Sequence, residues 1–319
     1  MSDHTNIEWA DSTVNFWSGC TKVSPACSHC YAETLSKRNP AVFGKWGPGA
    51  PRSEHLKGAT ANVRKWQHQA QAFAEAHGGR RRRVFVNSMS DWLDDEVPSE
   101  WLARLLFAIS EAPDVDFLLL TKRPENFDSR LKAANIFFAE NYSKSWTELE
   151  VWWQGKTVFD NVWIGVTAEN QAMADQRIPK LLEIPARVRF LSCEPLLGPV
   201  DLNDWIYLCP ECDGNGCSTR KDCINGYVNQ GIHWVIAGGE SGPDARPMHP
   251  DWARSLRDQC GEAGVPFLFK QWGEYVPAFM VENETRFDGQ ILEETIMCKV
   301  GKKAAGHIID SQVIQQFPV

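Results

Sequence analysis

Short apolar runs recur along the chain at intervals that each leave room for a helix, and this alternation limits the fold more than any other feature. Runs at 84–87, 116–121, 162–166, 188–191, 234–237 and 267–269 are nearly continuous in hydrophobic character and end in polar residues. That is the pattern of strands buried on both faces of a parallel sheet. A further strand is expected at 12–17. Helical periodicity fills the intervals at 30–38, 62–76, 99–111, 172–183 and 251–262. Pro98-Ser99-Glu100 and Pro250-Asp251 read as helix starts, and Gly264 as a helix stop. Repeated strand-helix units give an α/β class, and six or seven of them fit a partial or complete β/α barrel of the TIM type. No GxGxxG follows an early strand, which argues against a dinucleotide-binding fold.

The 319 residues suffice for one such barrel with insertions. Two segments interrupt the rhythm: 127–159, rich in Trp, Phe, Asn and Lys, is expected to be a helical insert, and 208–230 a cysteine-rich, metal-binding insertion. The alternation fades after about 275, so the barrel is placed at 1–275 and a C-terminal extension at 276–319. No apolar run approaches the roughly eighteen residues of a membrane helix. Residues 1–10 have neither a basic nor an apolar leader segment, so a cytoplasmic protein without membrane contact is expected. Thirty-three basic against forty-one acidic residues leave a net charge of −8. Such a balance speaks against gripping long nucleic acid through phosphate neutralisation, and leaves room for a base or nucleotide in a pocket.

Ten cysteines are many for a reducing compartment, where clustered thiols usually mean metal or catalysis. Cys20-x6-Cys27-x2-Cys30 follows the first expected strand and runs into Tyr31-Ala32-Glu33. Three thiolates can hold three irons of a four-iron cluster and leave the fourth open to a ligand. Zinc would need a fourth donor, and His29 inside the CxxC turn is an awkward one. Cys209-x2-Cys212-x4-Cys217-x5-Cys223, with Pro210, Gly214 and Gly216, forms a knuckle that cannot build a core of its own. A zinc ion or an auxiliary iron–sulfur cluster would tie it.

Two stretches, Asn15-Phe16-Trp17-Ser18-Gly19-Cys20 and Cys27-Ser28-His29-Cys30-Tyr31-Ala32, resemble the cluster loop of radical S-adenosylmethionine (radical SAM) enzymes, in particular the branch containing spore photoproduct lyase. The succession Val-Phe-Val-Asn-Ser-Met-Ser-Asp, Leu-Leu-Thr-Lys-Arg-Pro, Trp-Ile-Gly-Val-Thr-Ala-Glu-Asn, Leu-Ser-Cys-Glu-Pro-Leu and Gly-Gly-Glu-Ser-Gly is similar, over nearly the whole chain, to a phage-associated radical SAM-like family with a three-cysteine motif and no established substrate. The resemblance implies an enzyme that holds a 4Fe-4S cluster on Cys20, Cys27 and Cys30, with Tyr31 beside it. It would bind SAM at the open iron and take an electron from a donor such as flavodoxin or ferredoxin. Cleaved SAM would give a 5′-deoxyadenosyl radical. Asn87, Ser88, Met89, Ser90 and Asp91 would flank the methionine part of SAM. By analogy the substrate is a nucleotide or nucleic-acid base, modified or repaired; a third reading has the barrel bind SAM and a cluster yet act only with a partner protein. Two departures stand out. Six residues between the first two cysteines are more than the commonest loop has, and the Gly-Gly-Glu-like stretch expected after the second strand is absent there.

In a β/α barrel the C-terminal strand ends converge on one mouth, which makes their polar residues site candidates. These are Thr121, Lys122, Arg123, Thr167, Glu169, Ser192, Cys193, Glu194, Glu240, Lys270 and Gln271. Lys122 and Arg123 suit a SAM carboxylate or a substrate phosphate, or else a solvated strand end. Glu194 and Glu240 suit ribose hydroxyls or substrate amines, or else turn capping. Cys193 is a candidate hydrogen-atom donor, or else a small buried core residue. Arg246 and the run Arg80–Arg83 suit phosphate contact, or else ion pairs and a solvated loop. The rival reading is a non-enzymatic zinc-binding module for nucleic acid or a protein partner.

Overall fold

The computed structural model describes residues 3–142, 152, 159–206, 231–281 and 289–318. It divides into two compact units: Met1–Val23 with Ala32–Val166 and Glu183–Arg187, and Ser24–Tyr31 with Thr167–Leu182 and Val188–Val319.

In the first unit, β1 (Ser12–Val14), α1 (Tyr31–Arg38), α2 (Leu56–His68), α3 (Ala70–Ala76), β2 (Arg82–Val86), α4 (Ser99–Ser110), β3 (Val115–Thr121), α5 (Phe127–Tyr142) and β4 (Val162–Thr167) succeed one another. The strands are parallel and lie in chain order, with Ser12 opposite Val84, Val84 opposite Phe117 and Phe117 opposite Val162. Each is buried almost residue for residue, which is why the runs are continuously apolar. In α4 the buried residues Leu102, Leu105, Leu106 and Ile109 recur at three- and four-residue spacing and pack one face inward. The helix expected at 62–76 is two helices. The first begins earlier because Leu56, Ala59, Val63 and Trp66 share one buried face, and the break falls at Gln69, with φ −94° and ψ 0°. The expected first strand is likewise shorter, and Trp17–Ser18 pairs antiparallel with Ser53–Glu54 instead.

The second unit contains α6 (Gln171–Glu183), β5 (Val188–Cys193), β6 (Trp234–Gly238), α7 (Pro250–Ala263) and β7 (Phe267–Gln271). Its strands are again parallel and in chain order, Phe190 lying opposite Trp234 and Val235 opposite Phe267. The ring of His249 caps α7 by accepting from the Asp251 N–H, and Gly264 closes it in the left-handed conformation, φ 65°. Three antiparallel strands follow, β8 (Tyr275–Pro277), β9 (Gly289–Leu292) and β10 (Thr295–Lys299), in the order β8-β10-β9. The chain then returns along β7, where Gln315 bridges Leu268 and covers an otherwise open strand edge.

The fold is therefore mixed α/β, with seven parallel strands in strict chain order, the order of a partial β/α barrel. Helix α5 occupies the start of the expected helical insert. Except for Trp152 and Phe159, the rest of that insert lies outside the described residues, as does all of the cysteine-rich insertion at 208–230. Among the described residues no helix is long and apolar enough to cross a membrane.

Candidate functional site

Cys20 belongs to the first unit. Gly19 before it takes φ 102°, and a Cβ there would come within 2.9 Å of the Lys45 carbonyl oxygen and 3.0 Å of Arg52 Cδ, so only glycine fits this turn. The segment after β2 is stitched to residues 15–19. Asn87, itself at φ 57°, accepts the Phe16 N–H on Oδ1 (2.8 Å), Met89 N donates to Asn15 Oδ1 (2.9 Å), and Gly19 N donates to the Met89 carbonyl (3.1 Å). Ser90 Oγ donates to the Trp17 carbonyl (3.2 Å), and Ser88 exchanges hydrogen bonds with Asn15. Asn87, Ser88, Met89 and Ser90 thus stand beside the approach to Cys20, and buried Asn87 Nδ2 lacks a protein partner among the described residues.

Asp91 organises the end of β3. Its Oδ1 accepts from the Thr121 hydroxyl (2.7 Å) and the Leu93 N–H (3.0 Å), and its Oδ2 from the Lys122 N–H (2.9 Å) and Arg123 Nη1 (3.0 Å). Arg123 then reaches the cysteine loop, donating through Nη2 to the Thr21 carbonyl (2.7 Å) and through Nη1 to Cys20 Sγ (3.6 Å). Burial pushes the Cys20 thiol up to about 11, with Arg123 opposing the shift. Of the expected cationic pair, Arg123 is therefore committed to the loop, whereas the half-buried Lys122 ammonium makes no ion pair among the described residues. Arg52, which sequence reasoning missed, lies against the same loop. Its side chain is 1% exposed, pairs with Asp94 at 2.9 Å and donates to Thr21 Oγ1 (2.9 Å).

Cys27 and Cys30 belong to the second unit, in a short 3₁₀ turn and the residues after it. Glu169, fully buried, accepts the Ala26 N–H on Oε1 (3.1 Å) and Arg177 Nη1 on Oε2 (2.8 Å). Glu240 holds His29 Nδ1 (3.2 Å) and both arms of Arg246 (2.8 and 2.6 Å), and Arg246 Nη2 also donates to the Pro25 carbonyl (3.1 Å). Burial would raise both carboxyls. Arg177 and the Ser24 hydroxyl outweigh it at Glu169, and Arg246 outweighs it at Glu240, so both lie below the usual range. Both carboxylates thus brace the turn between Ser24 and Tyr31. Arg177 had no signal in the sequence, because its partner precedes it in a loop.

At the end of β5 the Cys193 thiol is fully buried, and burial raises it well above its ordinary value. Glu194 Oε1 pairs with Lys270 at 2.9 Å, and a Cβ on Gly238 would approach that oxygen to 2.8 Å. The backbones of Gly239 and Gly273 interlock, since a Cβ on either would overlap the other segment's main chain. The basic run after α3 is taken up by contacts within the protein, although Arg80 and Arg81 stay about a third exposed. Arg80 forms a two-armed pair with Asp11 (2.7 and 2.8 Å), Arg81 faces Asp116 (3.5 Å), and Arg82 is buried with its guanidinium over the Phe73 ring.

Among the described residues no three His, Cys, Asp or Glu side chains are drawn together as a metal-ligand set. None of the six described cysteines is in a disulfide; Cys20, Cys27 and Cys30 are partly exposed, whereas Cys193, Cys260 and Cys298 are buried. By their chemistry alone, thiol donors suit an iron–sulfur cluster, and the His29 imidazole next to Cys30 is already engaged by Glu240. Cys209, Cys212, Cys217 and Cys223 lie outside the described residues.

Residues 4–318 match the sequence profile of a family described as protein of unknown function (DUF5131). No curated protein matches the chain. Among solved structures, a spore photoproduct lyase variant aligns over 93% of this chain and 70% of its own, at 9% identity and a TM-score of 0.33.

Proposed function

The chain belongs to the DUF5131 family, and from its own cysteine loop we propose that it is a radical SAM enzyme holding a 4Fe-4S cluster on Cys20, Cys27 and Cys30. The observation that carries this reading is the extent to which the partly buried loop bearing the three thiols is braced. Glu169 fixes Ala26, Glu240 and Arg246 fix His29 and Pro25, and Arg123 fixes Thr21, yet the thiols form no disulfide. The cluster and SAM together would supply a one-electron cleavage to methionine and a 5′-deoxyadenosyl radical that takes hydrogen from a substrate. Tyr31 and the segment Asn87 to Ser90 would line the SAM site, where Asn87 Nδ2 offers a donor without a partner among the described residues. Lys122, Glu194 and Glu240 are assigned to substrate or SAM contacts at the strand ends. Cys193, held as a thiol by burial, is assigned to hydrogen-atom donation.

The substrate class proposed is a nucleotide or nucleic-acid base. Net acidity and the internal pairing of Arg80 and Arg81 favour a pocketed base over extended backbone contact. Flavodoxin or ferredoxin would deliver the electron, and the second cysteine group would hold zinc or an auxiliary cluster. Barrel residues 1–275 would carry this chemistry, with 276–319 as an extension.

Metal and sulfide analysis after anaerobic iron–sulfide reconstitution tests the reading. Brown protein with about four irons and a matching amount of sulfide at the first cysteine group is expected. Colourless protein carrying only zinc would replace the enzyme with the zinc-binding module.

A further inference from the structure

Arg123 is a tightly held cation beside the cysteine loop. It is 5% exposed. Nη2 is anchored on the Thr21 carbonyl and Nη1 on Asp91, while its backbone N–H donates to Thr121 Oγ1 (2.9 Å), whose hydroxyl in turn donates to Asp91. These bonds prevent the guanidinium from swinging out to meet a substrate anion, and they aim Nη1 at Cys20 Sγ, 3.6 Å away. Cys27 is treated differently: its sulfur faces the neutral Ser24 hydroxyl at 3.7 Å.

From this asymmetry we infer that Arg123 is a positioning residue that holds a positive charge and a hydrogen bond on the Cys20 sulfur, and so raises the reduction potential of a cluster bound there. The inference rests on the radical SAM reading. Reduction adds negative charge to the iron–sulfur core and its thiolates, so a fixed cation on one ligand sulfur stabilises the reduced form more than the oxidised one. Asp91 partly offsets that charge and at the same time fixes its direction.

The test uses full-length protein reconstituted anaerobically as wild type, Arg123→Met and Arg123→Gln. Iron and sulfide are counted, folding is checked by thermal melting, and the midpoint potential is read by a redox titration followed by electron paramagnetic resonance. The expected result is equal iron in all three proteins, with the potential shifted to more negative values in both variants, and further in Arg123→Met than in Arg123→Gln, which keeps a hydrogen-bond donor. Equal iron and an unmoved potential in the variants overturn the inference and leave the radical SAM reading standing. Loss of the cluster from both variants also overturns it, since Arg123 would then be a structural support. Wild type without iron removes the reading itself and the inference with it.

Discussion

Glu169 accepts the backbone N–H of Ala26 at 3.1 Å, across 143 residues of sequence, while its other oxygen holds the buried guanidinium of Arg177. One carboxylate therefore serves both the turn that carries Cys27 and the middle of α6. Glu169→Ala would strand a buried arginine and is expected to cost about 3–5 kcal/mol. It should also loosen the turn, so that reconstituted protein loses iron faster to a chelator. Glu169→Gln keeps an acceptor for Ala26 and should retain iron better than the alanine variant. Thermal unfolding and chelator-release rates measure both effects. Wild-type melting and iron release in Glu169→Ala would contradict the bracing role.

Acid stability offers a second check, where two arginines of α7 meet Asp310. Hydrogen bonds from Arg254 and Arg257 hold Asp310 down to about 2. A depressed carboxyl stabilises the fold above its unfolded value of about 3.9, and that contribution fades as the pH falls toward 2. Since Asp310 is 36% exposed, screening limits the effect to about 1 kcal/mol at most. Asp310→Asn should therefore melt below wild type at pH 7 and converge with it near pH 2, and salt should narrow the gap. A gap of the same size at both pH values would sink the assignment.

The glycines after β6 should respond unequally. Gly239→Ala would press a methyl group into the Trp272 carbonyl, which is backbone and cannot turn aside, so a loss of about 4 kcal/mol or more is expected. Gly238→Ala meets only the end of the Glu194 side chain, and should cost about 1 kcal/mol while displacing Glu194 from Lys270. Urea melts of the two variants decide the matter, and equal losses would show that the interlock is softer than its geometry.

The two cysteine groups should be separable by mutation. Cys27→Ala is expected to lose the iron and the colour yet keep any zinc, and Cys212→Ala to do the reverse. Elemental analysis of both proteins reads the outcome. Loss of all metal from either one would mean that the groups share a site.

The parallel strands were legible because a strand covered on both faces must be apolar throughout, and the run at 116–121 becomes β3 nearly unchanged. Gly264 and Pro250 likewise marked the ends of α7 through chemistry that acts locally. The bracing network was not legible. Arg52 and Arg177 carry no signal in sequence and Arg123 suggests only an anion contact or a solvated strand end, and each is paired with a carboxylate brought to it by the fold: Asp94, Asp91 and Glu169. The run Arg80–Arg83 shows the same limit, since Asp11 pairs with Arg80 and the Phe73 ring lies under Arg82.

The central claim is tested most directly by incubating the anaerobically reconstituted, reduced protein with S-adenosylmethionine and quantifying 5′-deoxyadenosine. The radical SAM reading predicts 5′-deoxyadenosine and methionine above the level formed by Cys27→Ala. Protein with a full complement of iron and sulfide that releases neither, with or without nucleotides present, would contradict it.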